Sequence, residues 1–298
     1  MRKPRLNAPL GASLIVVSSL FYASYGIWTT LLGDTFNGFT ASAFRSAFVL
    51  IILIPIAMFY RAFEPLRLKA NWLYIVAMFA GSLFTWGPLY YAILHAGIGL
   101  STAVNYASIV LGMFLFGWLL AGERFTRDKA ISATLGTIGL ICIFAPSVTG
   151  FGWLALGAAI LSGLSVAWSG IFAKRVEYNA TQSTIVLWAA SVVANAVMAI
   201  ILGAKYPPVE QYSAWIYLII FAVASVIASW SFVKGLKMID AGAAGVLGLL
   251  EIVFGLLFGI VFFHEKPGIL ALVGAAVIII SAAIPYVKDF NLKRGTLD

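Results

Sequence analysis

Residues 72–121 read WLYIVAMFAGSLFTWGPLYYAILHAGIGLSTAVNYASIVLGMFLFGWLLA, 50 consecutive positions without one Asp, Glu, Lys or Arg. As a straight α-helix, at 1.5 Å per residue, such a run reaches about 75 Å, more than twice the roughly 30 Å of a bilayer's hydrocarbon core. The run must therefore turn round, and Pro88, Gly97 and Gly99 around His95 mark the break. Residues 130–173 pose the same problem: 44 positions without charge, about 66 Å as one helix. Their turn falls at Pro146–Gly150, PSVTG.

Composition extends this reading to the whole chain. Of 298 residues, 62% are hydrophobic and 10% charged, and the mean hydropathy is +1.01, whereas soluble domains carry roughly 25% charged residues. A soluble globular domain is excluded, and so is a disordered chain, which needs low hydrophobicity. The 28 glycines show no period of three, so the chain is not collagen-like, and Cys142, the only cysteine, leaves no internal disulfide. Cutting the apolar runs into helices of about 18 to 25 residues predicts an all-α integral membrane protein. Its ten transmembrane helices fall at 9–32, 39–60, 72–94, 100–121, 129–146, 152–173, 182–203, 212–233, 241–263 and 268–287.

The 19 Lys and Arg residues test that division. They recur in small clusters between apolar stretches and do not form one aromatic-interleaved groove, so no nucleic acid is expected as a partner. With the N-terminus in the cytoplasm, 16 fall inside: Arg2, Lys3 and Arg5; Arg61, Arg67 and Lys69; Arg124, Arg127 and Lys129; Lys174 and Arg175; Lys234 and Lys237; Lys288, Lys293 and Arg294. Lys205 and Lys266 fall outside, and Arg45 lies within a helix. The positive-inside bias thus favours ten spans with both termini cytoplasmic. MRKPR at the start has the charge of a signal peptide, but the apolar stretch after it is too long and lacks an A-x-A site, so an uncleaved first helix is expected. Asn179-Ala180-Thr181 matches a glycosylation acceptor on a loop predicted to be cytoplasmic, where the match is chance.

The chain also repeats itself at an offset of 144 residues. SSLFYASYGIW (residues 18–28) aligns with SGLSVAWSGIF (residues 162–172), sharing Ser, Leu, Ala, Gly and Ile at 18/162, 20/164, 23/167, 26/170 and 27/171. Gly122-Glu123-Arg124 before helix 5 is echoed by His264-Glu265-Lys266 before helix 10, and His95-Ala96-Gly97 by Asp240-Ala241-Gly242. Residues 1–148 and 149–298 are therefore expected to be two five-helix repeats. Five is odd, so the second repeat enters the membrane from the opposite side. Inverted repeats of this kind characterise secondary transporters, which open to either face by exchanging the two repeats' conformations.

Ala43-Phe44-Arg45 in helix 2, Tyr90-Tyr91-Ala92 in helix 3, the Ala-Gly starts of helices 4 and 9, the Gly-Glu-Arg and His-Glu-Lys that follow them, and Leu250-Glu251 in helix 9 carry a family likeness. Over nearly its whole length the chain resembles the drug/metabolite transporter superfamily, specifically the ten-helix EamA-type exporters. Within that group it is most similar to the YddG-type aromatic amino acid exporters of bacterial inner membranes. The resemblance implies export of neutral, aromatic amino acids across the inner membrane by alternating access around a central cavity. Amino acid and lipid bilayer are then the partners, no cofactor is needed, and a monomer suffices. One departure is Ile252, where these families often have Pro after the helix 9 Glu. The alternatives are the same fold with another metabolite or a drug-like cation as cargo, or a membrane assembly subunit that carries nothing.

Several side chains are candidates for contact with the cargo. Glu251 lies near the middle of helix 9, where a carboxylate costs at least about 2.5 kcal/mol. It reads either as a contact for an ammonium or a proton carrier, or as a structural carboxyl bonded to neighbouring hydroxyls. Arg45, about two turns into helix 2, either clamps a carboxylate or snorkels or joins an ion pair. Ser18, Tyr22, Tyr25 and Thr29 put hydroxyls on one face of helix 1, with Trp28 and its repeat-mate region's Trp168 close to that face. Such rings either stack on a flat solute or serve packing and interfacial belts. Trp86, Tyr90, Tyr91, Asn105 and Tyr106 cluster around the helix 3 to 4 turn, and Asn195 in helix 7 reads as interhelical glue. Gly242, Gly245, Gly248, Gly255 and Gly259 are expected to let helix 9 approach its neighbours. His95, His264 and Cys142 are too few for a zinc site, and no HExxH, GxSxG or Walker pattern occurs, so no enzyme and no metal are expected.

Overall fold

The uncharged runs are helical in the computed structural model, which describes residues 8–65, 67–124, 126–147, 152–204 and 208–294. In chain order the helices are α1 (Ala8–Ala23), α2 (Tyr25–Leu32), α3 (Gly38–Phe59), α4 (Leu68–Ala96), α5 (Ile98–Ala121), α6 (Arg127–Phe144), α7 (Trp153–Arg175), α8 (Ala180–Ile201), α9 (Tyr212–Leu236), α10 (Ala241–Gly248), α11 (Leu250–Phe263) and α12 (Ile269–Arg294). Polar residues cap several starts: Asn37 accepts the Phe39 N–H at 2.9 Å ahead of α3, and Asn179 the Gln182 N–H at 2.9 Å ahead of α8. These caps satisfy donors that a helix leaves free in its first turn.

Eight helical stretches among the described residues are long and apolar enough to cross a membrane: Ala8–Leu32, Gly38–Phe59, Lys69–Ala96, Ile98–Ala121, Trp153–Arg175, Ala180–Ile201, Tyr212–Leu236 and Ala241–Phe263. α6 falls short because it opens on Arg127-Asp128-Lys129, and the apolar part of α12 is only Ile269–Pro285. The expected boundary at 148/149, and Arg2, Lys3, Arg5 and Lys205, lie outside the described residues.

Two predicted helices are interrupted. The stretch expected as 9–32 breaks at Ser24, whose hydroxyl donates to the Phe21 carbonyl at 2.6 Å, while the Ile27 N–H reaches back only three residues, to the Ser24 carbonyl. The stretch expected as 241–263 breaks at Leu249, where Leu249 bonds to Val246 and Ile252 to Leu249, again three residues apart. Both are local slips from the α to the tighter 3₁₀ ladder. Conversely, Pro88 does not end its helix. α4 runs through it to Ala96, and the turn is made by Gly97 at φ 78°, a conformation that a Cβ would strain.

α7 packs on α4 and α5, while α1 packs on α9, α10 and α11; α3 pairs with α8, and α6 with α12. Small residues let these backbones approach. A Cβ on Gly163 of α7 would overlap the Asn105 carbonyl of α5, one on Gly235 of α9 would stand 2.8 Å from the Gly11 carbonyl of α1, and one on Gly139 of α6 would stand 2.8 Å from the Gly274 carbonyl of α12. Gly242 and Gly245 meet Phe114 and Met113 as expected of packing glycines. Gly248 and Gly255 have nothing within 4 Å, and Gly259 faces Glu265 at the end of its own helix, so the expected close approach of a neighbour fails at those three.

Candidate functional site

Every helix except α6 and α12 contributes to one cavity of about 640 Å³, a size typical of small-molecule sites. Its wall runs from Thr29, Gly38 and Ile93, near the α5 start, down to Val233 and Ala244, near the α10 start.

Arg45 stands two turns into α3, fixed there by the Asn37 cap, and is 3% exposed. Four rings surround its guanidinium: Phe221 at 4.4 Å, Tyr25 at 4.8 Å, Trp188 at 5.5 Å and Trp86 at 5.7 Å from Cζ to the ring centroid. Trp188 is held in place by its indole N–H, which donates to Ser229 Oγ at 2.8 Å. Desolvated cation–π contacts are worth about 2 kcal/mol or more, less than a buried charge costs without a counter-charge. No carboxylate pairs with Arg45 among the described residues, and its Nε has no hydrogen-bond partner. Arg45 therefore neither snorkels to the surface nor joins an ion pair. It lines the cavity.

Glu251 follows the Leu249 break by two residues and lines the same cavity. Tyr106 donates its hydroxyl to Glu251 Oε1 at 2.6 Å, and no cation pairs with the carboxylate among the described residues. Tyr22 and Tyr25 lie within electrostatic reach of both Glu251 and Arg45. Ser18 Oγ, on the same wall, is buried and without a hydrogen-bond partner.

At the α10 end of the cavity, hydrogen bonds and ion pairs tie the helix ends together. Lys174 Nζ, at the end of α7, donates to Glu123 Oε1 and to the Ile239 carbonyl, each at 2.5 Å, and Glu123 Oε2 accepts the Ala241 N–H at 2.7 Å. Lys129 pairs with Asp240 at 2.6 Å, and Arg175 donates to the Leu120 carbonyl. Lys237, just past α9, donates to the Val176 carbonyl at 3.2 Å and the Lys174 carbonyl at 3.4 Å. Burial pushes the Lys237 ammonium from 10.5 down to about 8; Glu64 opposes that fall and Lys174 adds to it.

The sequence pattern of the EamA-like transporter family matches residues 9–145 and again residues 153–286. The chain belongs to the EamA-like transporter family. It is thus a multi-pass membrane protein that moves small molecules and is not an enzyme. Among its relatives are an S-adenosylmethionine uptake transporter of Rickettsia bellii, 22% identical over 91% of each chain, and a biotin transporter of Salmonella typhimurium, 25% identical over 91% of each. One solved crystal structure superposes with a TM-score of 0.76 at 20% identity, covering 93% of this chain and 98% of that one, a likeness of fold.

The structure of this EamA-like chain gathers Ser18, Tyr22, Tyr25, Arg45, Trp86, Tyr90, Asn105, Tyr106 and Glu251 on the cavity. Three expected residues do not reach it. Trp28 is turned aside by the Ser24 break and donates to Ser24 Oγ at 3.1 Å within the α2–α9 packing. Tyr91, about 100° round the helix from Tyr90, stacks on His95 at 4.0 Å. Trp168 donates to the Ala77 carbonyl at 3.1 Å and lines a smaller side pocket with Phe116 and Gly81. Asn195 both bonds to the Ser191 carbonyl at 2.7 Å and lines the cavity. Trp188 and Phe221 were missed. The signal was there on α8, where Thr184, Trp188, Ser191 and Asn195 recur at helical spacing as a polar stripe round an indole. Among the described residues, no three His, Cys, Asp or Glu side chains form a metal-holding group.

Proposed function

We propose that this EamA-like transporter exports a neutral amino acid with a flat, aromatic side group across the bacterial inner membrane, binding it as the zwitterion. The observation that carries the reading is Arg45 and Glu251 on one cavity, each lacking a counter-charge among the described residues. A guanidinium offers paired N–H donors to a carboxylate, a carboxylate attracts an ammonium, and Tyr22, Tyr25, Trp86, Tyr90, Trp188 and Phe221 give a flat group faces to stack on. Ser18 and Asn105 complete the polar part of the wall. A second reading, S-adenosylmethionine, is favoured by the Rickettsia relative; it has the same amino-acid end beside a flat adenine.

Transport proceeds by alternating access of two inverted five-helix halves, residues 1–148 and 149–298, with both termini cytoplasmic. The doubled family match supports this. So does the packing, in which α7 lies on α4 and α5 as α1 lies on α9, α10 and α11. The basic loops tied together around Glu123 support a cytoplasmic position for that end.

The test is counterflow into liposomes containing the purified protein, run in turn with phenylalanine, threonine, S-adenosylmethionine, biotin, a lipophilic cation and a sugar phosphate, each preloaded unlabelled and offered outside in labelled form. Phenylalanine exchange is expected. Exchange of S-adenosylmethionine alone selects the second reading, and no exchange of either overturns the zwitterion site.

A further inference from the structure

α5 and α11 end in the same way. Gly122 and His264 both take left-handed conformations, φ 67° and 53°. The next residue is a glutamate in each, and its N–H bonds to a glycine carbonyl six residues back: Glu123 to Gly117 at 3.0 Å, Glu265 to Gly259 at 3.1 Å. Both carboxylates then fold back over that glycine, whose missing Cβ leaves the room they occupy.

What the two carboxylates meet differs. Glu123 holds the first N–H of α10, at Ala241, which is 0% exposed, and Lys174 at the end of α7. Glu265 is exposed, and its carboxylate has no hydrogen bond or ion pair among the described residues. Matching helix starts, the counterpart of Ala241 is Ile98, the first residue of α5, which is 70% exposed. The 144-residue offset that aligns the repeats makes Thr30 the counterpart of Lys174, and it too is exposed. Helix starts carry free N–H donors and a partial positive charge that suit a carboxylate.

We propose that Glu265 is the latch of the opposite gate: when the transporter turns over, its carboxylate closes onto the start of α5 at Ile98, beside Thr30, as Glu123 releases Ala241 and Lys174. The inference rests on the two-repeat reading above. Because Thr30 stands where the other gate has a lysine, the Glu265 closure is the weaker one. The carrier therefore rests sealed at Glu123.

The test uses detergent-solubilised full-length protein with Cys142→Ala and a single new cysteine, either Ile98→Cys or Ala241→Cys, labelled with a maleimide. Lys174→Thr, which copies the outer gate's residue, is expected to slow labelling at position 98 about tenfold and to speed it at position 241. Adding Glu265→Gln restores fast labelling at position 98. Glu123→Gln is the second way of opening the inner gate should Lys174→Thr fail to fold. If position 241 opens and position 98 is covered with or without Glu265, the latch is overturned while alternating access stands. If position 241 opens and position 98 stays equally reactive, reciprocal movement of two repeats is itself overturned.

Discussion

Tyr106 and Glu251, 145 residues apart in sequence, meet in a single 2.6 Å hydrogen bond between the middle of α5 and the start of α11. A bond to a charged acceptor contributes about 1.5 to 3 kcal/mol, so Tyr106→Phe leaves the carboxylate without its partner and misplaces it. The expected outcome is about a tenfold weaker half-saturation concentration for phenylalanine counterflow, with the protein still monodisperse. An unchanged value would remove Tyr106 from the site.

Arg45→Gln keeps a hydrogen-bonding side chain but loses the charge inside the cage of Tyr25, Trp86, Trp188 and Phe221. Binding of phenylalanine is expected to fall by about tenfold or more, as loss of a charged hydrogen bond would give. Phenylalaninamide, which lacks the carboxylate, should be equally poor for both proteins. Calorimetric titration of the two ligands measures the difference, and a parallel loss for both would mean that Arg45 recognises no carboxylate.

Gly242 is pressed against the Phe114 ring, whereas Gly255 has open space. Overpacking costs about 1 to 3 kcal/mol, so Gly242→Ala lowers the thermal midpoint in detergent and Phe114→Leu in the same chain recovers part of the loss. Gly255→Ala, in a helix with nothing to strike, leaves the midpoint unchanged or raises it. Equal midpoints for the two single variants would contradict the packing.

Lys237 binds a proton in both folded and unfolded chains below about pH 8, where its burial is a constant cost. Between about 8 and 10.5 the unfolded chain keeps a proton that the folded one has lost, so stability rises with pH across that window. The thermal midpoint of the unmodified protein should therefore rise relative to Lys237→Met between pH 7.5 and 9.5. Parallel curves would show that Lys237 does not titrate there.

The spans were legible because charge is so costly in lipid that its absence over residues 72–121 and 130–173 admits few alternatives. The breaks at Ser24 and Leu249 were not: neither carries a proline, and a serine hydroxyl competing for the Phe21 carbonyl looks the same in sequence as one bonded along an intact helix. Arg45 and Glu251 stood out as isolated charges in apolar runs. Trp188 and Phe221 did not, since an aromatic residue among aliphatic ones shows which face it occupies only once its neighbouring helix is known. Tyr91 failed for the complementary reason: adjacency to Tyr90 says nothing about direction when successive residues turn by about 100°.

α6 and α12 touch at Gly139 and Gly274, backbone against backbone, and neither helix lends a side chain to the cavity wall. The seam and the cargo site thus draw on separate sets of residues. Descendants of such a protein can change what they carry by rewriting the lining of α3, α8 and α9, while inheriting the joint between α6 and α12 unaltered.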